Sequence, residues 1–509
     1  MAGIGFALRE LDRRESIFGS IASIGHGAVV AAGPWIFTVV ALALIQHGSV
    51  DVLTSEASHN FQGLVVYAFA LSLLVTAPIV NVSIRLVADD IYSGRFQNVR
   101  PRFLVALVAC AGIAPFASIL VYGALLRLSW ADLLVAIVST TVIGLIWPTL
   151  AFCGAVKDYR GITVGFSLGL LISVAATTFA AAQRLGELAM MVAFVSGLCL
   201  VFFWLAGRVL VSFPYRVSTL APHLRDFANG LAEHWVLGIA SFIAIAAIWA
   251  DKWVMWTGPQ ALSLENGLVS APTYDSAMFV AYLFIIPSLG MFVKSIETRF
   301  FEDFRHFLAS IQDRAPLDRL NGLAEDLEKQ TFRMIYRVLI TQGTLCAIAI
   351  ILSPVIIPLV GLQFEQIGIL RLGIFAAFFQ FMFITCSSIV LFFDRSLRFL
   401  ALQLIFLAAQ VGFTLVAMRL GPEYAGYGHL IACAASALIG VAVLEATMSK
   451  SVYLIFSAAL RQRPRQLVAA TVHAKKAAPQ PAVVRPASAP SQEQAPSLET
   501  ALAGPLLRP

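Results

Sequence analysis

The stretch IASFIAIAAIWADKWV, residues 239–254, decides how this chain folds, because it sets an aspartate beside a lysine inside an otherwise apolar run. At about 100° per residue, Trp249, Trp253 and Trp256 share one helical face, which Trp235, Phe242 and Ile245 continue. Glu233, Leu237, Ala240, Ala244, Ala247 and Asp251 form the opposite face. One side is bulky and aromatic, the other small and acidic. Bulky side chains suit lipid and the interfacial aromatic belt, whereas small ones let a neighbouring helix approach. The pattern therefore predicts a membrane helix with Asp251 turned toward the bundle. Asp251 reads either as a structural ion partner, with Arg371 as its cation, or as a carboxylate lining a substrate conduit. Lys252, between the two faces, reads either as a lysine snorkelling among tryptophans or as a second conduit residue. Eighteen helical residues beyond Glu233 is about 27 Å, which puts Asp251 near one end of the span.

Shifting the chain by 218 residues lays IASIGHGAVVAAGPWI, residues 21–36, over this stretch with six of sixteen positions identical. The pairs are Ile21 with Ile239, Ala22 with Ala240, Ser23 with Ser241, Ala28 with Ala246, Ala32 with Ala250 and Trp35 with Trp253. Gly33 and Pro34 then fall on Asp251 and Lys252, so one half weakens its helix where the other carries charge. Both positions are conduit candidates, as are Glu233, Arg371 and His26, the last with a packed, hydrogen-bonded histidine as its alternative.

The rest of the chain has the composition this helix requires. It has 509 residues, 59% apolar and only 13% charged, with a mean hydropathy of +0.83, so it is a membrane protein. Twelve apolar runs are long enough to cross a bilayer, near 21–46, 61–84, 103–126, 131–155, 161–182, 187–207, 234–257, 275–293, 338–360, 367–392, 399–418 and 425–447. Of the 35 lysines and arginines, only Arg127, Arg184, Lys252, Arg371 and Arg419 fall on the odd-numbered loops. The basic residues thus mark the even loops and both termini as cytoplasmic. Six spans between the matched helices is an even number, so the halves are parallel repeats about an axis along the membrane normal.

The expected organisation is a cytoplasmic amphipathic segment over 1–20, a six-helix lobe over 21–207, a cytoplasmic linker over 208–232 and a second six-helix lobe over 233–460. A basic Ala/Pro-rich tail, 461–509, is expected to be disordered. Within the second lobe, the long cytoplasmic loop 294–337 carries Ile296, Phe300, Phe304, Phe307 and Ile311 at helical spacing. That loop predicts an amphipathic helix, lying in the headgroup layer or offering Phe300, Phe304 and Phe307 to a cytosolic partner. Asn81, Gln342, Gln380 and Gln410 are further polar groups inside spans, Asn81 as glue between helices. Pro148, Pro287, Pro354 and Pro358 predict kinks.

No GxxxxGK[ST] phosphate loop, HExxH or DxD motif is present, which argues against an ATP-driven pump or a membrane glycosyltransferase. Cys110, Cys153, Cys199, Cys346, Cys386 and Cys433 lie in or beside apolar runs and form no CxxC pair or Cys/His cluster. No metal, cofactor or nucleic acid is expected.

The segments MAGIGFALRELDRRESIFG (1–19), AAGPWIFTVVALAL, SIRLVADDIYSGRF, DKWVMW and YDSAMFVAYLFIIPSLGMFVKSIETRFFEDF occur in an order that resembles the PelG family of Pel exopolysaccharide exporters. The resemblance spans about 1–460 and excludes the Ala/Pro tail. It implies the fold of the multidrug/oligosaccharidyl-lipid/polysaccharide (MOP) exporter superfamily, two six-helix lobes around a cavity lined by helices one and seven. It further implies an inner-membrane subunit acting with PelD, PelE and the cytosolic glycosyltransferase PelF on a polysaccharide substrate among membrane lipids. Asp251 and Lys252 would then stand at the outer mouth of the conduit. Two other readings stay open: an ion-coupled flippase of lipid-linked oligosaccharide or small amphiphiles, with Asp251 or His26 as proton carrier, and a scaffold that only anchors the synthase.

Overall fold

In the computed structural model, residues 38–45, 48, 55–156, 158–217, 219–296, 300–450 and 452–453 are described. Contacts group residues up to Ser451 into one compact unit. The chain is an all-α polytopic membrane protein built as two lobes. Among the described residues, eleven helices are long and apolar enough to cross a membrane. They coincide with spans two to twelve of the sequence. Most of the first run, with His26, Gly33 and Pro34, lies outside the described residues, and so do the segment 1–20 and nearly all of the tail.

Span two is α1 (Ser55–Tyr92), span three α2 (Val99–Ser118), continued by a π-helical turn over Ile119–Leu125, and span four α3 (Trp130–Val156). Spans five and six are α4 (Tyr159–Ala182) and α5 (Glu187–Ser212). A short amphipathic helix, α6 (Ala221–Glu233), leads to span seven, α7 (Trp235–Met255). A hairpin of β1 (Leu262–Ser263) and β2 (Val269–Ser270) precedes span eight, which is α8 (Pro272–Leu283) followed by α9 (Ile286–Ser295). Then come α10 (Phe301–Gln312) and the spans nine to twelve: α11 (Leu317–Leu359), α12 (Ile367–Phe392), α13 (Ser396–Leu420) and α14 (Tyr427–Met448).

The two lobes repeat one contact scheme. In the first, span two packs on span four, three on four, four on six and five on six. In the second, eight packs on ten, nine on ten, ten on twelve and eleven on twelve. An offset of six spans carries one set onto the other, the parallel repeat seen between residues 21–36 and 239–254.

Small residues set the tightest of these contacts. In α4 and α5, a Cβ on Gly197 would stand 2.3 Å from the Gly169 carbonyl oxygen, and the Ser173 hydroxyl donates to the Phe194 carbonyl at 2.7 Å. In the equivalent pair α13 and α14, a Cβ on Gly428 would lie 2.5 Å from the Phe413 carbonyl oxygen. Lipid tails are as apolar as leucine, so close backbone approach and buried hydrogen bonds hold such pairs together. Before α4, Asp158 accepts from the Gly161 amide and from Arg208 on α5, and Arg208 holds its carboxyl below the usual carboxylate range.

Among the prolines, Pro287 stands where span eight breaks between α8 and α9, because its ring cannot continue the preceding helix. Pro148, Pro354 and Pro358 lie inside continuous helices. Asn81 donates to the Ala77 carbonyl of its own helix at 3.0 Å.

Candidate functional site

Along α7, the face predicted to be small turns inward and the bulky one outward. Leu237, Ala240 and Ala247 are buried, while Trp235 and Phe242 are exposed. Asp251 continues the buried face and is 0% exposed. Its carboxylate accepts from Lys252 Nζ through both oxygens, at 3.0 and 2.9 Å, and from the Tyr274 hydroxyl at 2.9 Å. His429 Nδ1 stands 3.7 Å from the same carboxylate. Lys252 Nζ donates further to the Tyr282 hydroxyl at 3.2 Å and lies 4.6 Å from that ring's centroid. The Tyr282 hydroxyl reaches His429 Nε2 at 3.3 Å, and Gln410 holds His429 Nδ1 from span eleven.

The cluster therefore joins spans seven, eight, eleven and twelve of the second lobe around one enclosed ion pair. Burying either charge alone would cost several kcal/mol, and the mutual attraction with these hydrogen bonds offsets that.

In this structure Asp251 and Lys252 face each other and second-lobe side chains. Lys252, Tyr274 and His429, the groups around the Asp251 carboxylate, are all second-lobe residues, and Lys252 bends back onto its sequence neighbour instead of snorkelling. Arg371, expected as the cation, is exposed on α12 and donates to Ser353 at 2.7 Å. Glu233 is exposed at the end of α6, and His234 separates it from α7, so the long acidic face ends short of it.

The lobes meet along α1 and α7. At the end near Asp251, the Tyr67 ring stacks on Trp256, with centroids 4.8 Å apart and planes at 16°. Trp256 Nε1 and the Ala271 amide both donate to Asp275, at 2.8 and 3.0 Å. At the opposite end, Arg85 of the first lobe lies 3.4 Å from Asp394 of the second. Nearby, the buried Asp90 carboxylate accepts from Arg95 at 2.9 Å, from Asn98 at 3.3 Å and from Arg102, tying the end of α1 to the start of α2.

The cytoplasmic helix α10 forms as its spacing predicts, but its aromatic face is turned inward. Phe300 and Phe307 are buried, and Phe304 packs on Phe392 and Phe393 at centroid distances of 5.0 and 5.3 Å. Phe300 and Phe304 thus have ring partners within the chain, at the end of α12. Arg305 and His306 stay exposed.

One pattern in the sequence resembles catalytic machinery without forming it. The run GFSLG, 165–169, matches the GxSxG nucleophile pattern, yet it lies inside α4, with no strand-to-helix turn to present Ser167. Its glycines make room for Trp204 and Val201 of α5. Among the described residues, no group of three His, Cys, Asp or Glu side chains could hold a metal, and all six cysteines are free.

Tyr67, Asp90, Tyr274, Tyr282 and His429 were not legible as site residues. Tyr282 and His429 are 147 positions apart, so no local spacing connects them. The Asp89-Asp90 pair with Arg95 and Arg102 just beyond it was the one readable signal.

Two lobes whose contact scheme repeats at an offset of six spans make a fold that solved MOP superfamily transporters share. A MOP superfamily transporter from Pyrococcus furiosus is similar with a TM-score of 0.60 at 17% identity, over 84% of this chain and 95% of that one. A multidrug and toxin extrusion (MATE) transporter crystallised with MaL6 gives 0.61 at 16%, over 83% and 96%. The inward-facing conformation of a multidrug resistance MATE family transporter gives 0.56 at 15%, over 83% and 98%. At these identities the likeness concerns the fold alone. The chain belongs to the PelG family, described as "Putative exopolysaccharide Exporter (EPS-E)", whose model matches residues 1–456. It is thus a multi-pass inner-membrane protein of an exporter family. Comparison with curated proteins gives no match.

Proposed function

We propose that this protein exports the Pel exopolysaccharide across the bacterial inner membrane, between its two lobes, as the cytosolic glycosyltransferase PelF extends the polymer. The family match over 1–456 on a two-lobed transporter fold carries this reading. PelD and PelE complete the inner-membrane complex. In the second lobe, Asp251 is neutralised by Lys252, which favours a polymer pushed by its own synthesis over exchange of an ion at that carboxylate. The synthase docks on the cytosolic part of α11, where Glu325, Glu328, Lys329, Phe332, Arg333 and Tyr336 line an open groove of ≈ 570 Å³.

Cell fractions from a deletion strain test this function. Cytosolic polymer with an active synthase is expected, and polymer returns to the medium when the chain is restored. Lipid-linked intermediates would point instead to a flippase, and loss of synthase from the membrane without trapped polymer to a scaffold.

A further inference from the structure

The connection between α7 and α8 does more than join two spans. Its hairpin turns at Asn266-Gly267, where Gly267 has φ +84 and the Asn266 side chain accepts from the Leu268 amide at 3.2 Å. A glycine takes that left-handed conformation without strain. The hairpin then reaches over the other lobe. Leu268 is 0% exposed and belongs to the apolar cluster of the first lobe, which includes Phe61 and Leu64. Gly63 of α1 leaves the room: a Cβ there would stand 2.7 Å from Leu264 Cδ1. Tyr67 binds the hairpin backbone as a strand would, donating to the Val269 carbonyl at 2.8 Å and accepting from the Val269 amide at 3.3 Å. Residues 253–293 contain no lysine or arginine, which puts this end of the bundle outside.

We propose that the α7–α8 hairpin is the outer gate of the export path and that Tyr67 is its latch. The gating role rests on the export reading; the clasp between the lobes stands apart from it. The lobes cannot part at this end unless Leu268 leaves the first-lobe cluster and Tyr67 releases Val269. Both contacts are local and need no rearrangement inside either lobe, so they break and reform as polymer passes.

The clasp is tested in the full-length protein by labelling Leu268→Cys from outside with a membrane-impermeant maleimide, the unsubstituted chain serving as background. Adding Tyr67→Phe removes two hydrogen bonds and is expected to raise the labelling rate about tenfold. Leu264→Cys repeats the measurement at a less enclosed position, should Leu268→Cys fold poorly. Equal rates with and without Tyr67→Phe at both positions, or labelling only from the cytoplasmic side, overturn the clasp. The gate is tested by bridging Gly63→Cys and Leu264→Cys with a short bis-methanethiosulfonate, which forms a disulfide to each cysteine as methanesulfinate leaves and is cleaved by a reductant. Polymer is expected to collect in the cytosol and to reach the medium on reduction. Undiminished export through the bridged protein overturns the gate, whereas failure of the unsubstituted chain to deliver any polymer overturns the export reading alone.

Discussion

Lys252 Nζ stands 2.9 and 3.0 Å from the two carboxylate oxygens of Asp251, its own sequence neighbour, and both side chains are buried. Consecutive residues on a helix point about 100° apart, so this pairing requires the flexible lysine stem to bend around the helix. The Tyr274 and Tyr282 hydroxyls hold the two ends of the pair, which makes it part of the second lobe's packing.

Replacing Asp251 with Ala is therefore expected to leave an unpaired buried ammonium, a loss of about 3–5 kcal/mol. Membrane abundance, read by immunoblot, falls sharply. The double change Asp251→Leu with Lys252→Met removes both charges and is expected to restore abundance. A well-expressed Asp251→Ala protein would show that the pair does not stabilise the lobe.

Tyr274→Phe keeps the ring and deletes one hydroxyl that donates to a buried carboxylate. The expected cost is about 1.5–3 kcal/mol, seen as a lower melting temperature in detergent. Tyr424→Phe, at an exposed position, is expected to leave the melting temperature unchanged; equal effects at the two sites would contradict the assignment.

At the cytoplasmic end, two neighbouring ion pairs are expected to behave differently. Asp90 has a side chain only 1% exposed and binds two arginines, so Asp90→Ala costs about 3 kcal/mol or more. Arg85 and Asp394 are 39% and 63% exposed, and Arg85→Ala changes stability by at most about 1 kcal/mol. Thermal unfolding of the two purified variants decides, and a reversed order would be fatal to this account.

Phe307→Ala empties a buried aromatic site and is expected to cost about 3–5 kcal/mol, lowering the level of the exporter itself. Charge reversal at Glu325 and Lys329, both exposed, spares that level and reduces recovery of the synthase in pull-downs. Unchanged recovery would remove this face as the docking surface.

Much of the fold was legible because bilayer thickness and positive-inside charge act on runs of sequence. Those constraints find spans two to twelve, although α11 begins at Leu317, well before the apolar run at 338–360, because a polar stretch continues the same helix. The inward and outward faces of α7 were equally legible, since helical periodicity converts residue size into direction. Proline positions take two forms: Pro287 stands in the first turn of α9, just past the break in span eight, whereas Pro148 stays inside a helix.

The site was much less legible. Arg371 looked like the cation for Asp251 because the two share a depth, yet depth alone does not specify which helices touch. Likewise, the periodic phenylalanines of α10 announce an apolar face without naming what covers it; the cytoplasmic end of α12 does so.

By itself, the sequence determined a membrane protein of two parallel repeats, because hydrophobic length, charge bias and helical period are properties read along the chain. Only the tertiary structure decided that Asp251 is enclosed by Lys252, Tyr274 and His429, and that Tyr67 clasps the hairpin of the other lobe. Those contacts join residues up to 202 positions apart, and such pairings follow from how helices pack against one another, which no local pattern encodes.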